Sequence, residues 1–468
     1  MRHRILIANR GEIAVRILRA CERLGHEAVC VATAADHASM HARLALETFG
    51  PDALYRISSY QDPNELFAVA DHAGATAVHP GYGFLAEDFR FARRVANRDR
   101  PLVFIGPSWW LVRDLGDKIN TKRLARRLGV PTIPGSDRPV TDELEAEQLA
   151  RDLFLFQEEQ GVQLGAVLVK ASAGGGGMGI EEVGDLDEFR SVFRRIRNYA
   201  KRQFGDDGVL IEQRLYDFNH LEVQVVADRS GIGPVHFGTR NCSIQSTGRQ
   251  KRVEVAPGFA PEEIAYPFDA AALLEEITVH SLNMARESGY DNLGTWEWIV
   301  TPAGEPFLME VNTRIQVENG VSAAIATVHG EPVDLVREQI RLGLGEPLGY
   351  TQEDVALHGV AVEYRIIAER PEDRFAPCTG EVQRFEWTAR PWLAVHTHVP
   401  QNGGYAIPTD FDPNLALGIV TGASVAEAAE RGREFLSSLT LTGRDEKGLP
   451  LSTNLDYLLD RTGGMLRV

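Results

Sequence analysis

The stretch Glu310-Val-Asn-Thr-Arg-Ile-Gln-Val-Glu318 carries a polar side chain at every second position, with carboxylates at its two ends. Upstream, Thr295-Trp-Glu-Trp-Ile-Val and Pro306-Phe-Leu-Met-Glu-Val-Asn312 read as two strands of a hairpin around the turn text Thr-Pro-Ala-Gly-Glu. With the turn centred between Ala303 and Gly304, Glu297 falls opposite Glu310, and period-two alternation sets Glu297, Glu310 and Asn312 on one face. Opposed carboxylates weaken a sheet unless a cation lies between them, and oxygen ligands of this kind suit Mg2+ bridging nucleotide phosphates. A one-residue slip sends one glutamate to the other face, and a solvated edge hairpin is the bland alternative. Beyond the hairpin, Arg314 offers a fork for a small oxyanion, Gln316 an amide and Glu318 a general base; all three read equally well as exposed strand residues.

A second candidate is Lys170-Ala-Ser-Ala-Gly-Gly-Gly-Gly-Met-Gly179, which follows a strand. Gly174, Gly175, Gly176 and Gly177 would let backbone N–H groups close over phosphate oxygens beside the fixed charge of Lys170. The string matches neither the P-loop spacing nor GxGxxG, so a flexible surface loop stays open as its reading.

The elements that must position these residues show in the apolar pattern. Short strands at 5–8, 28–33, 75–79 and 102–106 alternate with helix-length segments, the first running from Gly11 to about Arg23, and predict an open parallel sheet. A turn-rich joint at 129–136 precedes a small α/β unit: a polar helix at 142–159, strand 166–170, the glycine run, helix 186–201 and strand 209–213. Strands at 221–227, 235–239, 295–300 and 306–312 follow, with a long helix at 261–287 among them. Past Gly345 the text is mixed strands and loops with one clear helix at 424–439.

A chain of 468 residues exceeds one compact core and predicts roughly two to four domains. Its composition, 44% apolar and 25% charged, is that of a soluble globular protein. The net charge of −17 argues against nucleic acid and anionic lipid as partners, so anionic substrates must be caught by a few focused cations. Cys21, Cys30, Cys242 and Cys378 form no CxxC pair and read as reduced thiols of a cytoplasmic protein. No apolar run reaches the length of a signal peptide or the roughly 20 residues of a membrane span.

Several motifs in order resemble the biotin carboxylase family of the ATP-grasp superfamily over almost the whole chain. They are Ile7-Ala-Asn-Arg-Gly-Glu-Ile-Ala-Val-Arg-Ile, His79-Pro-Gly-Tyr-Gly-Phe-Leu-Ala-Glu87, Gly106-Pro with Gly116-Asp-Lys118, Arg240-Asn-Cys-Ser-Ile-Gln245 with Gln250-Lys251, and Glu310–Glu318 itself. The resemblance implies an α/β (α+β overall) ATP-grasp fold. A Rossmann-like pre-ATP-grasp domain would span 1–115, the ATP-grasp domain 116–345 with a mobile lid at about 133–208, and a C-terminal mixed domain 346–468. It also implies roles. Lys118 and Lys170, with the glycine loop, would hold ATP phosphates; Glu212 would meet the adenine amino group; His220 and Gln245 would line the nucleotide pocket. Glu297, Glu310 and Asn312 would hold Mg2+ or Mn2+. Lys251, Arg314, Gln316 and the backbone of Val317 would bind bicarbonate, Glu318 would deprotonate it, and Arg365 would stabilise the biotin enolate.

The sequence departs from the family pattern at Ser246-Thr-Gly-Arg-Gln-Lys251, where Arg249 replaces a histidine, and at Asn319-Gly-Val-Ser-Ala323. It departs again at Met178 and at Leu417, where the family carries basic residues. No biotin-attachment motif or carboxyltransferase-sized extension is present. The resemblance therefore implies a homodimer that works on biotin held by a separate carrier protein, beside a separate carboxyltransferase subunit. It leaves the final acceptor, an acyl-CoA or a 2-oxo acid, to those partners. Two other functions fit part of the pattern: an ATP-grasp ligase with a different acceptor, or a non-catalytic nucleotide-binding regulatory subunit.

Overall fold

The structure, a computed structural model, describes residues 1–162, 165–172, 179–245, 250–401 and 403–465. The described chain groups into two compact units: residues 1–116, 219–297 and 311–468 form the larger, residues 117–218 and 298–310 the smaller.

The larger unit opens with the expected parallel sheet. Its strand order is Leu54–Arg56, Glu27–Ala32, Arg4–Ile7, Ala77–His79, Val103–Phe104. Ile5, Ile7, Val29 and Val78 are buried to 1% or less, as parallel strands covered on both faces require. An antiparallel sheet follows, in the order Asn219–Ala227, Val235–Gln245, Lys251–Ala256, Val360–Ile367, Asn414–Gly422, Leu393–Thr397. Both of its faces are enclosed. The strand Asn219–Ala227 is buried at every position, although His220, Glu222 and Gln224 alternate with Leu221, Val223 and Val225.

In the smaller unit the strands Ile180–Val183, Val167–Ala171 and Val209–Gln213 make an antiparallel sheet. Helices Glu143–Glu159 and Leu186–Phe204 pack on it through Ala146, Ala150, Phe189, Phe193 and Ile196. Asp142 and Asp185 cap those helices, each accepting a backbone N–H of the first turn.

One local expectation needs correction. The helix expected at 261–287 spans only Ala270–Ser288. Pro267 cannot sit inside a helix, and Asp269 caps the start by accepting the N–H of Ala272; residues before it instead bring Tyr266 and Phe268 against Phe259. The hairpin turn falls on the expected text, Thr301 to Glu305. Thr301 N–H bonds the carbonyl of Glu305 at 3.0 Å and Gly304 N–H that of Thr301 at 2.9 Å, with Gly304 at φ +83°. Beyond the turn Asn312 reaches Glu297 at 2.7 Å, so the two share a face of the hairpin.

Candidate active site

The polar alternates of the antiparallel strands gather on one buried face of the larger unit. Arg240 is fully buried and acts as the hub. Its guanidinium donates to Glu222 at 2.9 Å, Gln224 at 2.8 Å, Ser322 at 3.2 Å, Thr295 at 3.3 Å and the side-chain oxygen of Gln316. Gln316 in turn donates to Glu297 Oε1 at 2.7 Å, and so does Asn312 at 2.7 Å. Glu297 Oε2 receives His220 Nε2 at 2.9 Å, while Gln245 Nε2 meets His220 Nδ1 at 3.2 Å. Gln245, His220, Glu297, Gln316 and Arg240 thus form one continuous hydrogen-bonded chain.

Glu318 ends the segment just before the short helix Asn319–Ile325, and its side chain bonds none of that helix's N–H groups. Lys251 donates to Glu318 at 2.8 Å and also holds Glu222; Arg365 bridges Glu318 at 2.9 Å and Glu254 at 2.5 Å. Burial alone would raise the Glu318 carboxyl, but Lys251, Arg365 and Arg240 outweigh it and hold the carboxyl well below the ordinary range. Burial likewise opposes the Lys251 charge, and Glu222, Glu297 and Glu318 reverse that, so Lys251 stays an ammonium. Arg314 points its guanidinium at Glu87 and Asn312, both at 2.9 Å. Asn319 ties the segment down: its amide donates to the carbonyl of Gln316 at 2.6 Å and more distantly to that of Val317 at 3.4 Å, and it accepts Arg16 at 2.8 Å.

The smaller unit holds a second cluster. Glu212 accepts Lys122 at 2.6 Å and also Lys170; burial pushes against its charge, yet the two ammonium groups bring its carboxyl down to about 2. Lys118 lies 3.3 Å from Glu310.

Among the expected site residues the structure joins Glu297 with Asn312, Gln316 and His220, His220 with Gln245, Lys251 and Arg365 with Glu318, Lys170 with Glu212, and Lys118 with Glu310. Gly174 to Gly177, Met178 and Arg249 lie outside the described residues. Leu417 is fully buried and opposite Arg365 in the sheet register. Sequence reasoning missed Glu222, Glu254 and Lys122 and gave Arg240 no role. The signal for Glu222 was present in the alternation His-Leu-Glu-Val-Gln-Val, but it reads as a solvated face. Among the described residues, His220, Glu222 and Glu297 place one donor atom each within 4.8 Å of one another, as do Glu222, Cys242 and Glu318. The Lys251 ammonium already serves as the cation against Glu222, Glu297 and Glu318.

Comparison with known proteins matches three segments in order. Residues 1–112 fit the biotin carboxylase N-terminal domain, 117–351 the ATP-binding domain of the carbamoyl-phosphate synthase L chain, and 363–459 the biotin carboxylase C-terminal domain. The chain is 37% identical over 444 residues to the biotin carboxylase of Pseudomonas aeruginosa, covering 95% of this chain and 92% of that one. The chain belongs to the biotin carboxylase family. The biotin carboxylase of Nostoc sp. is 37% identical over 440 residues, covering 94% of this chain and 92% of that one. The biotin carboxylase domain dimer of Hydrogenobacter thermophilus 2-oxoglutarate carboxylase, solved with MgADP, ADP and bicarbonate, superposes with a TM-score of 0.85 at 33% identity, covering 99% of this chain and 94% of that one. The ATP-grasp biotin carboxylase fold is thereby established for this chain. Among the described residues, no helix is long and apolar enough to cross a membrane.

Proposed function

We propose that this biotin carboxylase uses MgATP to activate bicarbonate and carboxylates a ureido nitrogen of biotin, with Glu318 as the base. The observation that carries the assignment is the clamp on Glu318 by Lys251 and Arg365. Left alone, so strongly held a carboxylate is a poor base. Bicarbonate entering between Lys251, Arg314 and Gln316 competes for the same donors, with the Val317 backbone beside it. As Lys251 turns to the incoming anion, the hold on Glu318 weakens and its proton affinity rises, which matches the base to its task only when substrate is bound. Glu318 then takes the bicarbonate proton while a bicarbonate oxygen attacks the γ-phosphorus; ADP leaves and carboxyphosphate remains. Carboxyphosphate then breaks into CO2 and phosphate, the phosphate takes the ureido proton, and the biotin enolate, stabilised by Arg365, attacks CO2 through its nitrogen.

Lys118 and Lys170 would neutralise ATP phosphates with Gly174, Gly175, Gly176 and Gly177 closing over them. Glu212 would accept from the adenine amino group, and His220 and Gln245 would line the pocket. Glu297, Glu310 and Asn312 would hold Mg2+; their oxygen donors suit a hard cation, and Glu310 already draws the Lys118 ammonium. Mg2+ there would offset the repulsion between the two anions. Residues 1–115, 116–345 and 346–468 would be the three functional segments, with 133–208 closing as a lid that excludes water from a short-lived intermediate. The chain would work in the cytoplasm as a homodimer, serving a separate biotin carrier protein and a carboxyltransferase that sets the acceptor, an acyl-CoA or a 2-oxo acid. Incubating the purified chain with MgATP and bicarbonate, with and without free biotin, tests this. ADP release that requires both bicarbonate and biotin is expected; release indifferent to both overturns the reading.

A further inference from the structure

Behind Arg365 lies a pair of acids that the mechanism above leaves unused. Glu254 and Glu363 face each other directly across the antiparallel strands Lys251–Ala256 and Val360–Ile367, and neither is accessible to solvent. Side chains so opposed share one face of the sheet, and Arg365, two residues from Glu363, shares it with them. Arg365 reaches Glu254 at 2.5 Å and is at the same time committed to Glu318. Glu363 has no hydrogen-bond partner on either oxygen among the described residues. Around it stand Glu254, Arg365, Glu318 and, from helix Gly11–Arg23, Glu12; around Glu254 stand Arg365, Glu318, Lys251 and the buried thiol of Cys242. From the next strand Glu363 meets only Ile419 in register, and from the helix after Glu318 it meets Gly320, where an added Cβ would collide with Ile419 and touch Glu363. That glycine, one of the departures from the family pattern, leaves Glu363 sealed without a donor.

Two opposed carboxylates with one shared guanidinium cannot both stay ionised away from water. We infer that Glu254 and Glu363 hold a single proton between them, and that this opposed pair is a positioning device that fixes how hard Arg365 grips Glu318. With the proton on Glu363, its hydroxyl can donate to the Glu254 carboxylate, which presents one negative charge to Arg365 and draws it part-way off the base. If Glu254 is neutralised as well, Arg365 has only Glu318 to hold and pins it. Burial raises both carboxyls, Glu363 well above the ordinary range and Glu254 to about 7, in line with a pair that carries one charge near neutrality.

The catalytic consequence rests on the proposed function, while the shared proton does not, and the test separates them. Infrared spectra of the full chain without substrates, in light and heavy water, should show the carbonyl stretch of a buried protonated carboxyl at neutral pH that is missing in Glu363→Gln. In turnover, Glu254→Gln should lower kcat by about tenfold, the size of a one-unit change in the base, and move the acid limb of the pH profile, while KM for ATP shifts by less than about twofold. Glu254→Asp should restore the wild-type shape of that profile. A wild-type spectrum without the band overturns the shared proton whatever the turnover shows. A band with an unaltered kcat and pH profile in Glu254→Gln overturns the positioning role. A band without any biotin-dependent turnover counts against the proposed function instead.

Discussion

Glu212 in the smaller unit and Glu318 in the larger are both buried carboxylates gripped by two cations, yet their surroundings differ in sign. Around Glu212, Lys122 and Lys170 share one acid, and Lys118 stands on Glu310 in the same unit. Around Glu318, acids crowd the cations: Glu222, Glu297 and Glu254 compete with it for Lys251, Arg240 and Arg365. The difference teaches how each cluster meets an anion. Spare positive charge receives a polyphosphate directly, whereas in the second cluster every cation is engaged and an incoming bicarbonate has to displace a carboxylate. The carboxylate displaced is the proposed base.

The contrast is broken most severely at Glu318. Glu318→Gln should keep the fold and lower kcat by roughly 10²–10⁴, while KM for bicarbonate falls, because the base is lost together with the carboxylate that bicarbonate must displace. Steady-state kinetics in bicarbonate check this. Arg240→Gln should come next. It frees Gln316 and Glu222 from their common anchor, and misplacing groups in this way costs about 10² in kcat/KM for bicarbonate, read in the same assay. On the cation-rich side, Glu212→Gln should raise KM for ATP by about tenfold, the worth of one charge-assisted hydrogen bond, and leave kcat at saturating ATP nearly unchanged.

The smallest effect concerns acid. His41, His79 and His398 are buried and neutral in the larger unit; burial first of all lowers them, to about 4, about 3 and about 3. Unfolded histidines take up a proton near 6.5, so below that pH the unfolded state binds more protons and stability falls, by about 1.4 kcal/mol per pH unit per histidine until the folded values are reached. Residues 117–218 and 298–310 contain no histidine. Their linked group is Glu212, whose lowered carboxyl stabilises above the ordinary carboxylate range and loses that contribution only below it. His79→Gln should therefore lessen the loss of stability between pH 6 and pH 5, read by denaturant unfolding, while the raised carboxyls of Glu254 and Glu363 act the other way.

Much of this was legible from one sequence, and the failures have physical causes. The period-two run from Glu310 to Glu318 showed the wall of the site because carboxylate, amide and guanidinium groups fall on its alternate positions. Lys251 and Arg365 needed the family resemblance, since on their own each is a charge in a strand. Glu222, Glu254 and Glu363 were invisible because alternation does not say whether the polar face meets water or other polar groups; here it is closed inside the sheet. Alternation alone put Glu297 and Asn312 on one face, and the 2.7 Å bond between them agrees. Pro267 should have shortened the long helix from the sequence alone.

The central claim is that a bicarbonate oxygen, with its proton taken by Glu318, attacks the γ-phosphorus. Turnover in bicarbonate labelled with heavy oxygen tests it most directly, by mass analysis of the released phosphate. The account predicts label in the phosphate, in step with biotin carboxylation and lost together with turnover in Glu318→Gln. Phosphate that takes its new oxygen from water and none from bicarbonate would contradict it.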